Sequence, residues 1–342
     1  MLTIGYIANG KSTNRYHLPF VRLRKNIRVK TIYSRSLDGP WPTIEGIYYT
    51  TDICELLQDP EINMIVVCTH QDSHYEYAKM ILESGKHALI EKPFMMTFEE
   101  AEEIFTLAES KGLMVQCYQN RRYDSDFLTV QKVIESGKLG KIQELEMHFD
   151  YYRPEIPENS HKLSVSESFL YGHGCHTLDQ VISFFGLPDK VTYDVRALLG
   201  KNHMNDYFDL DLFFGDIKAS VKSSYFRVKP RPSFIVYGSQ GMFVKETKDR
   251  QEEHLKLFYL PGSIGFGLDE PQHFGTLTYY ENGHYHEEKV ISEPGDYGRV
   301  YDHIYNTLIN GIPSPVKNEE TLKVMEILET GMNLLQQEME SQ

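Results

Sequence analysis

The sequence predicts an α/β protein of two domains, and three observations carry that prediction. The first third alternates short apolar runs with stretches whose apolar residues recur at helical spacing. Beyond residue 120 the runs alternate side to side, as in Val221-Lys222-Ser223-Ser224-Tyr225-Phe226, the pattern of a sheet with one covered face. A single hydrophobic core stops growing near about 250–300 residues, and this chain has 342.

The elements follow in order. Strands are expected at 2–8, 28–33, 62–69, 87–90 and 113–118, with helices at 18–25, 51–57, 73–84 and 97–110 between them. Gly85 and Gly112 stand just past the last two helices, where a left-handed cap residue belongs. Thr97 and Glu100 form a capping box, and Asp72 or Ser73 caps the helix before it. Such alternation means right-handed crossovers and a buried parallel sheet. A helix at 126–136 then leads to strands at 144–152, 191–199, 207–214, 217–226 and 233–237, with helices at 176–185 and 319–338. Residues 247–295 read as loop-rich with weak strands. The domains are expected at 1–120 and 121–342.

Net charge is −14, from 35 basic and 49 acidic residues, and such a surface repels nucleic acid and anionic lipid. No stretch reaches the ~18 apolar residues of a membrane span, so neither nucleic acid nor membrane is expected as a partner. The opening Met1–Gly10 lacks a basic region ahead of its apolar run, so no signal peptide is expected. Cys54, Cys68, Cys117 and Cys175 are scattered without metal-ligand spacing, which predicts reduced thiols, a cytoplasmic location and no metal site.

In a parallel α/β sheet a nucleotide is expected where the first strand turns into the first helix. The stretch there is Ala8-Asn9-Gly10-Lys11-Ser12-Thr13, which offers Ala, Gly and Thr at the three positions of the G-x-G-x-x-G fingerprint. Gly10 would let a pyrophosphate approach the backbone. The second strand ends in Tyr33-Ser34-Arg35, with an Arg and no acid where a ribose is read, which favours NADP(H) over NAD(H). Lys92, in Glu91-Lys92-Pro93, follows a buried strand directly, at the edge where such sheets bind ligands.

Together these residues resemble the Gfo/Idh/MocA family of NAD(P)-dependent oxidoreductases. Glu91-Lys92-Pro93 is that family's most specific mark, and Thr69-His70-Gln71-Asp72-Ser73-His74 is similar to its Thr-Pro-Asn-x-x-His stretch. Asn120-Arg121-Arg122-Tyr123-Asp124 and Gly174-Cys175-His176-Thr177-Leu178-Asp179 resemble two further segments, so the likeness runs the length of the chain. Lys11-Ser12-Thr13 with Tyr16-His17-Leu18-Pro19, and Phe149-Asp150-Tyr151-Tyr152-Arg153-Pro154, look closest to a bacterial subgroup that includes NADP-dependent scyllo-inositol dehydrogenases.

The resemblance implies a Rossmann domain followed by an α/β domain on an open, predominantly antiparallel sheet, assembled as a homodimer or homotetramer through that sheet's outer face. It implies Lys92 as a donor to the reacting oxygen and His176 as the acid/base, a task that suits an imidazole. Cofactor contacts are expected from Ala8 to Thr13, Ser34, Arg35, Thr69, His70, His74, Glu91, Lys92, Pro93 and Asn120. Tyr151, Arg153, Tyr171, His173 and Asp179 are the candidates for a sugar, cyclitol or diol substrate, since aromatic faces and an Arg fork suit polyols or a carboxylate. One departure stands out: Gly172 occupies the place of the Asp in the family's Asp-x-x-x-His, with His173 beside it as a substitute. Cys175 diverges from His176 by about 100° on a helix, so a nucleophilic dyad is rejected. The rival readings are an NAD-dependent glycosidase and a dinucleotide-binding regulator without turnover.

Overall fold

The computed structural model describes residues 1–153, 165–200 and 203–341. In chain order they form β1 (Leu2–Ile7), a π-helical turn (Thr13–His17) that runs into α1 (Leu18–Val21), β2 (Ile27–Tyr33), β3 (Tyr48–Thr50), α2 (Ile53–Leu57), β4 (Met64–Val67), α3 (His74–Glu83), β5 (His87–Ile90), α4 (Phe98–Ser110) and β6 (Val115–Cys117). There follow α5 (Ser125–Glu135), β7 (Ile142–His148), α6 (Cys175–Phe185), β8 (Lys190–Arg196), β9 (Tyr207–Phe214), β10 (Ile217–Ser224), β11 (Phe234–Gly238), β12 (Gly241–Lys245), α7 (Gln251–Lys256), β13 (Gly275–Glu281), β14 (His284–Val290), α8 (Arg299–Asn310) and α9 (Asn318–Ser341).

The chain divides into two compact units. One is Met1–Asn120 with Glu253–Phe266 and Tyr297–Met325; the other is Arg121–Glu252 with Gly267–Asp296 and Glu326–Gln342. A single crossing after residue 120 was expected, yet the chain returns to the first unit twice.

The first unit holds a six-stranded parallel sheet in the order β3-β2-β1-β4-β5-β6, the order of a doubly wound dinucleotide fold. All of β1 and β4 is buried, because crossover helices cover both faces. The order reverses between β1 and β4, so the crevice beyond their carboxyl ends is where this architecture binds ligands.

The second unit holds an eight-stranded sheet, β14-β13-β12-β11-β7-β10-β9-β8, antiparallel except where β7 meets β10. Its inner rows are apolar: Leu145, Met147, Ala219, Val221, Phe208, Leu210, Leu212, Phe234 and Val236 are all buried. The loop-rich region resolves into a short helix and the β13–β14 hairpin, and α8 lies where no element was expected. Among the described residues no helix is long and apolar enough to cross a membrane, and no cluster of side chains could hold a metal ion.

Candidate active site

The first unit carries the residues expected to meet a dinucleotide. β1 ends at Ile7, and Ala8 turns the chain with a φ of 85°, in the left-handed region that favours glycine. The turn is held from both sides: the Ala8 amide donates to the Tyr33 carbonyl (2.8 Å), and the Thr13 hydroxyl donates to the Ala8 carbonyl (2.6 Å). Asn14 Nδ2 donates to Asn9 Oδ1 and to the Gly10 carbonyl, at 2.8 and 2.9 Å. Nothing lies within 4 Å of where a Cβ on Gly10 would stand, so the backbone there is open to a ligand. Arg35 is exposed just past β2. An open glycine and an exposed cation at these two strand ends fit a dinucleotide carrying phosphate.

Lys92 follows β5, and the Lys92–Pro93 peptide is cis. The preceding Glu91 is buried, and its carboxylate is the hub of the site. It accepts from the Ser12 hydroxyl in the loop after β1 and from the Lys92 amide (3.0 Å), and it pairs with His17 Nε2 (2.9 Å). Burial pushes the Glu91 carboxyl up, but His17, the Lys92 charge and Ser12 more than offset that and hold it down to about 2. His17 Nδ1 meets the Tyr301 hydroxyl at 2.6 Å, which meets the Tyr6 hydroxyl at 2.8 Å, and all three side chains are fully buried. A polar chain therefore runs from the sheet core through Tyr301 and His17 to the carboxylate beside Lys92.

His74 holds the other side of this turn. It is buried, with Nδ1 at 3.0 Å from the Pro93 carbonyl and Nε2 at 3.3 Å from the Thr69 carbonyl. Burial lowers its pKa, so the neutral ring donates from one nitrogen at a time. Its nitrogens face backbone, so His74 pins the Lys92 turn. His70 is exposed and pairs with Asp72, and Thr69 Oγ1 accepts from Ser73 Oγ (2.8 Å). Asn120 is buried at the end of this segment.

The second unit presents His176, buried on the first turn of α6 directly after a π-helical turn, Leu170–Gly174. π-turns inside helices gather at functional sites, and the loop after β1 carries another. Gly174 is needed for packing: a Cβ would stand 2.8 Å from Leu170 and 3.4 Å from Leu328 on α9. A Cβ on Gly172 would meet nothing within 4 Å. Asp179 takes a bidentate grip on Arg122, at 2.8 and 2.6 Å, both side chains buried. Gln180 Nε2 donates to the Arg121 carbonyl (2.6 Å), so α6 anchors the turn that carries both arginines. This makes Asp179 a brace for that turn, its oxygens already engaged. Cys175 is buried on the same helix.

Around this helix start lies a cationic and aromatic cluster. The His173 ring packs against Phe169, Tyr151 and Phe149, with centroids 4.7, 5.0 and 5.6 Å apart. The Arg153 guanidinium lies 4.5 Å from the Tyr151 ring, and Tyr171 is buried. Burial holds the Tyr151 phenol well above its usual value, so the phenol stays neutral and can donate. Pro154, part of the same motif, lies outside the described residues.

Residues 2–119 match the family model described as "Oxidoreductase family, NAD-binding Rossmann fold", and residues 131–340 match "Oxidoreductase family, C-terminal alpha/beta domain". The chain belongs to the Gfo/Idh/MocA oxidoreductases. It is 48% identical to the uncharacterized oxidoreductase YhhX of Escherichia coli, covering 97% of this chain and 96% of that protein. It is 30% identical to the NADP(+) scyllo-inositol 2-dehydrogenase IolW of Bacillus subtilis, covering 97% and 93%. The crystal structure of an oxidoreductase from Bacillus cereus superposes with a TM-score of 0.92 at 43% identity, covering 97% and 95%.

In this oxidoreductase, two features near the candidate residues escaped sequence reasoning. His17 and Tyr301 are separated by 284 positions, and no spacing rule joins them. Lys248 is the other: it packs 3.9 Å from the Phe149 ring centroid and 4.6 Å from that of Tyr151. In Val244-Lys245-Glu246-Thr247-Lys248-Asp249-Arg250 it reads as one charge in a solvated run, with no signal to set it apart.

Proposed function

We propose that this oxidoreductase moves a hydride between a nicotinamide dinucleotide and a secondary alcohol or ketone of a sugar, cyclitol or related diol, with Lys92 and His176 as the working pair. The observation that carries this reading is the Glu91 carboxylate, which ties Ser12 in the dinucleotide loop to the backbone of Lys92. One group thus couples the cofactor's loop to the lysine that would meet the reacting oxygen.

The bound nicotinamide supplies or accepts the hydride, and the protein contributes orientation and electrostatics. In the oxidative direction the Lys92 ammonium donates to the substrate oxygen and stabilises the charge that develops there. His176 takes the hydroxyl proton, and in the reductive direction it returns that proton. NADP(H) is favoured over NAD(H), because Arg35 is exposed at the ribose-reading position and no acid stands there. The name of IolW as an NADP(+) enzyme agrees with that preference.

The test is reduced-nicotinamide absorbance across inositols, aldoses, ketoses and diols, with NADP⁺ and NAD⁺ in parallel. Turnover with NADP⁺ is expected, and Lys92→Ala should lower kcat by about 10²-fold or more while dinucleotide binding persists. Unchanged turnover in Lys92→Ala would overturn the assignment.

A further inference from the structure

We infer that the substrate of this oxidoreductase carries an anionic group, a carboxylate on a polyhydroxy framework, and that Lys248 and Arg153 hold it over the ring of Tyr151. The inference rests on the dehydrogenase reading for the reaction and on the second unit alone for the site.

The cations of this cluster differ in how they are matched. Arg121 lies 4.9 Å from the Phe149 ring and is already engaged by Asp124 and Glu252. Asp150 is taken by Arg231 through two side-chain bonds, at 2.9 and 2.8 Å. Lys248 has the Asp150 backbone carbonyl at 2.8 Å and two ring faces around its ammonium. Arg153 has the rings of Tyr151 and Tyr225, at 4.5 and 5.4 Å. Among the described residues no carboxylate comes within ion-pair distance of either.

A largely desolvated ammonium with no carboxylate at ion-pair distance is costly, and ring faces plus one carbonyl return only part of what water supplied. Burial first, and then the Arg121 charge, pulls the Lys248 pKa down to about 8, against the smaller opposing pull of Asp150, Asp126 and Glu252. An anion from solution completes the arrangement. The shape of the cluster selects among anions: both cations lie within 5 Å of the centroid of one flat ring, Tyr151, which suits a carboxylate attached to a ring or chain of hydroxyl-bearing carbons. The fork of Arg153 accepts both carboxylate oxygens, and the Tyr151 phenol is left to donate to a hydroxyl.

Matched pairs test this directly: D-glucuronate with D-glucose, D-galacturonate with D-galactose, and D-gluconate with sorbitol. Each is measured by calorimetric binding to the cofactor-loaded protein and by nicotinamide absorbance. The acid of at least one pair should be preferred by about tenfold or more, as a charge-assisted hydrogen bond provides. Lys248→Met keeps the packed stem and should collapse the acid-to-neutral ratio, and Lys248→Arg should restore it. Equal or better binding of the neutral member in every pair, or an acid preference that survives Lys248→Met, overturns the inference. Binding is read without turnover, so an acid that binds but is never oxidised or reduced counts against the dehydrogenase reading and leaves the anion site standing.

Discussion

Ala8 shows how one residue can carry the tension between stability and function. A left-handed φ costs an L-residue about 1–2 kcal/mol, and here both neighbouring hydrogen bonds hold Ala8 in it. Glycine is free of that cost, although its unfolded chain is more disordered by about 0.4–1 kcal/mol. Ala8→Gly should therefore raise stability by about 0.5–1 kcal/mol, read as a higher denaturation midpoint at unchanged m-value. A lower midpoint would mean that the Ala8 methyl group makes contacts worth more than the strain. The same scale explains why Glu91 precedes Lys92. A buried carboxylate held down to about 2 is ionised throughout the physiological range, so it stays an acceptor for Ser12 and the Lys92 amide.

At the scale of elements, α5 and α7 meet at a buried carboxyl. Asp249 accepts from the Ser125 amide (2.8 Å) at the start of α5 and from the Gln251 amide (2.7 Å) at the start of α7. Burial, reinforced by the charge of Asp126, raises its pKa to about 7. The sign follows from linkage: between an unfolded value of about 3.9 and about 7 the folded state binds more protons. The contribution of Asp249 is thus fully present below about pH 4 and is lost as pH rises through 7. Thermal denaturation from pH 4 to 8 should show this decline, and Asp249→Asn should flatten it; an equally steep profile in the variant would assign it elsewhere. The β13–β14 hairpin makes a different point. Its turn is Asn282-Gly283, with φ of 52° and 79°, a two-residue turn that matches the strand twist. That dipeptide was visible in a region read as loop, but strand β14, His284-Tyr285-His286-Glu287-Glu288-Lys289-Val290, is an edge strand loaded with charge. Edge protection erased the alternation by which strands are recognised.

Across the whole molecule, charge sets the expectation for assembly. The outer rows of the eight-stranded sheet carry half-buried ion pairs, Lys218 with Glu144 at 2.6 Å and Lys222 with Asp209 at 3.3 Å, beside Phe213, Ile235, Tyr237, Met242 and Val244. If the expected homodimer or homotetramer is built on this face, its contact is partly ionic, and a net charge of −14 opposes it. Light scattering should then give a multimeric mass at moderate salt that changes at about 1 M, where charges are screened beyond ~3 Å. A multimeric mass indifferent to salt would put the contact on another surface.

By itself the sequence determined the alternation of strand and helix before residue 120, the change to a one-sided sheet after it, and the short motifs around Gly10, Lys92 and His176. Those are local properties: period, cap residues and turn chemistry act over a few neighbouring positions, so they can be read in order. Only the tertiary structure decided that Glu91 joins Ser12, His17 and Lys92, that Tyr301 completes the chain from 284 positions beyond His17, and that Asp179 braces Arg122. It also lifted Lys248 out of a run of surface charges and set it against Phe149 and Tyr151. Such relations depend on which strands pair and which segments return to a unit. Sequence distance carries no information about a contact made by folding, and burial beside another cation turns an ordinary charge into a chemically distinctive one.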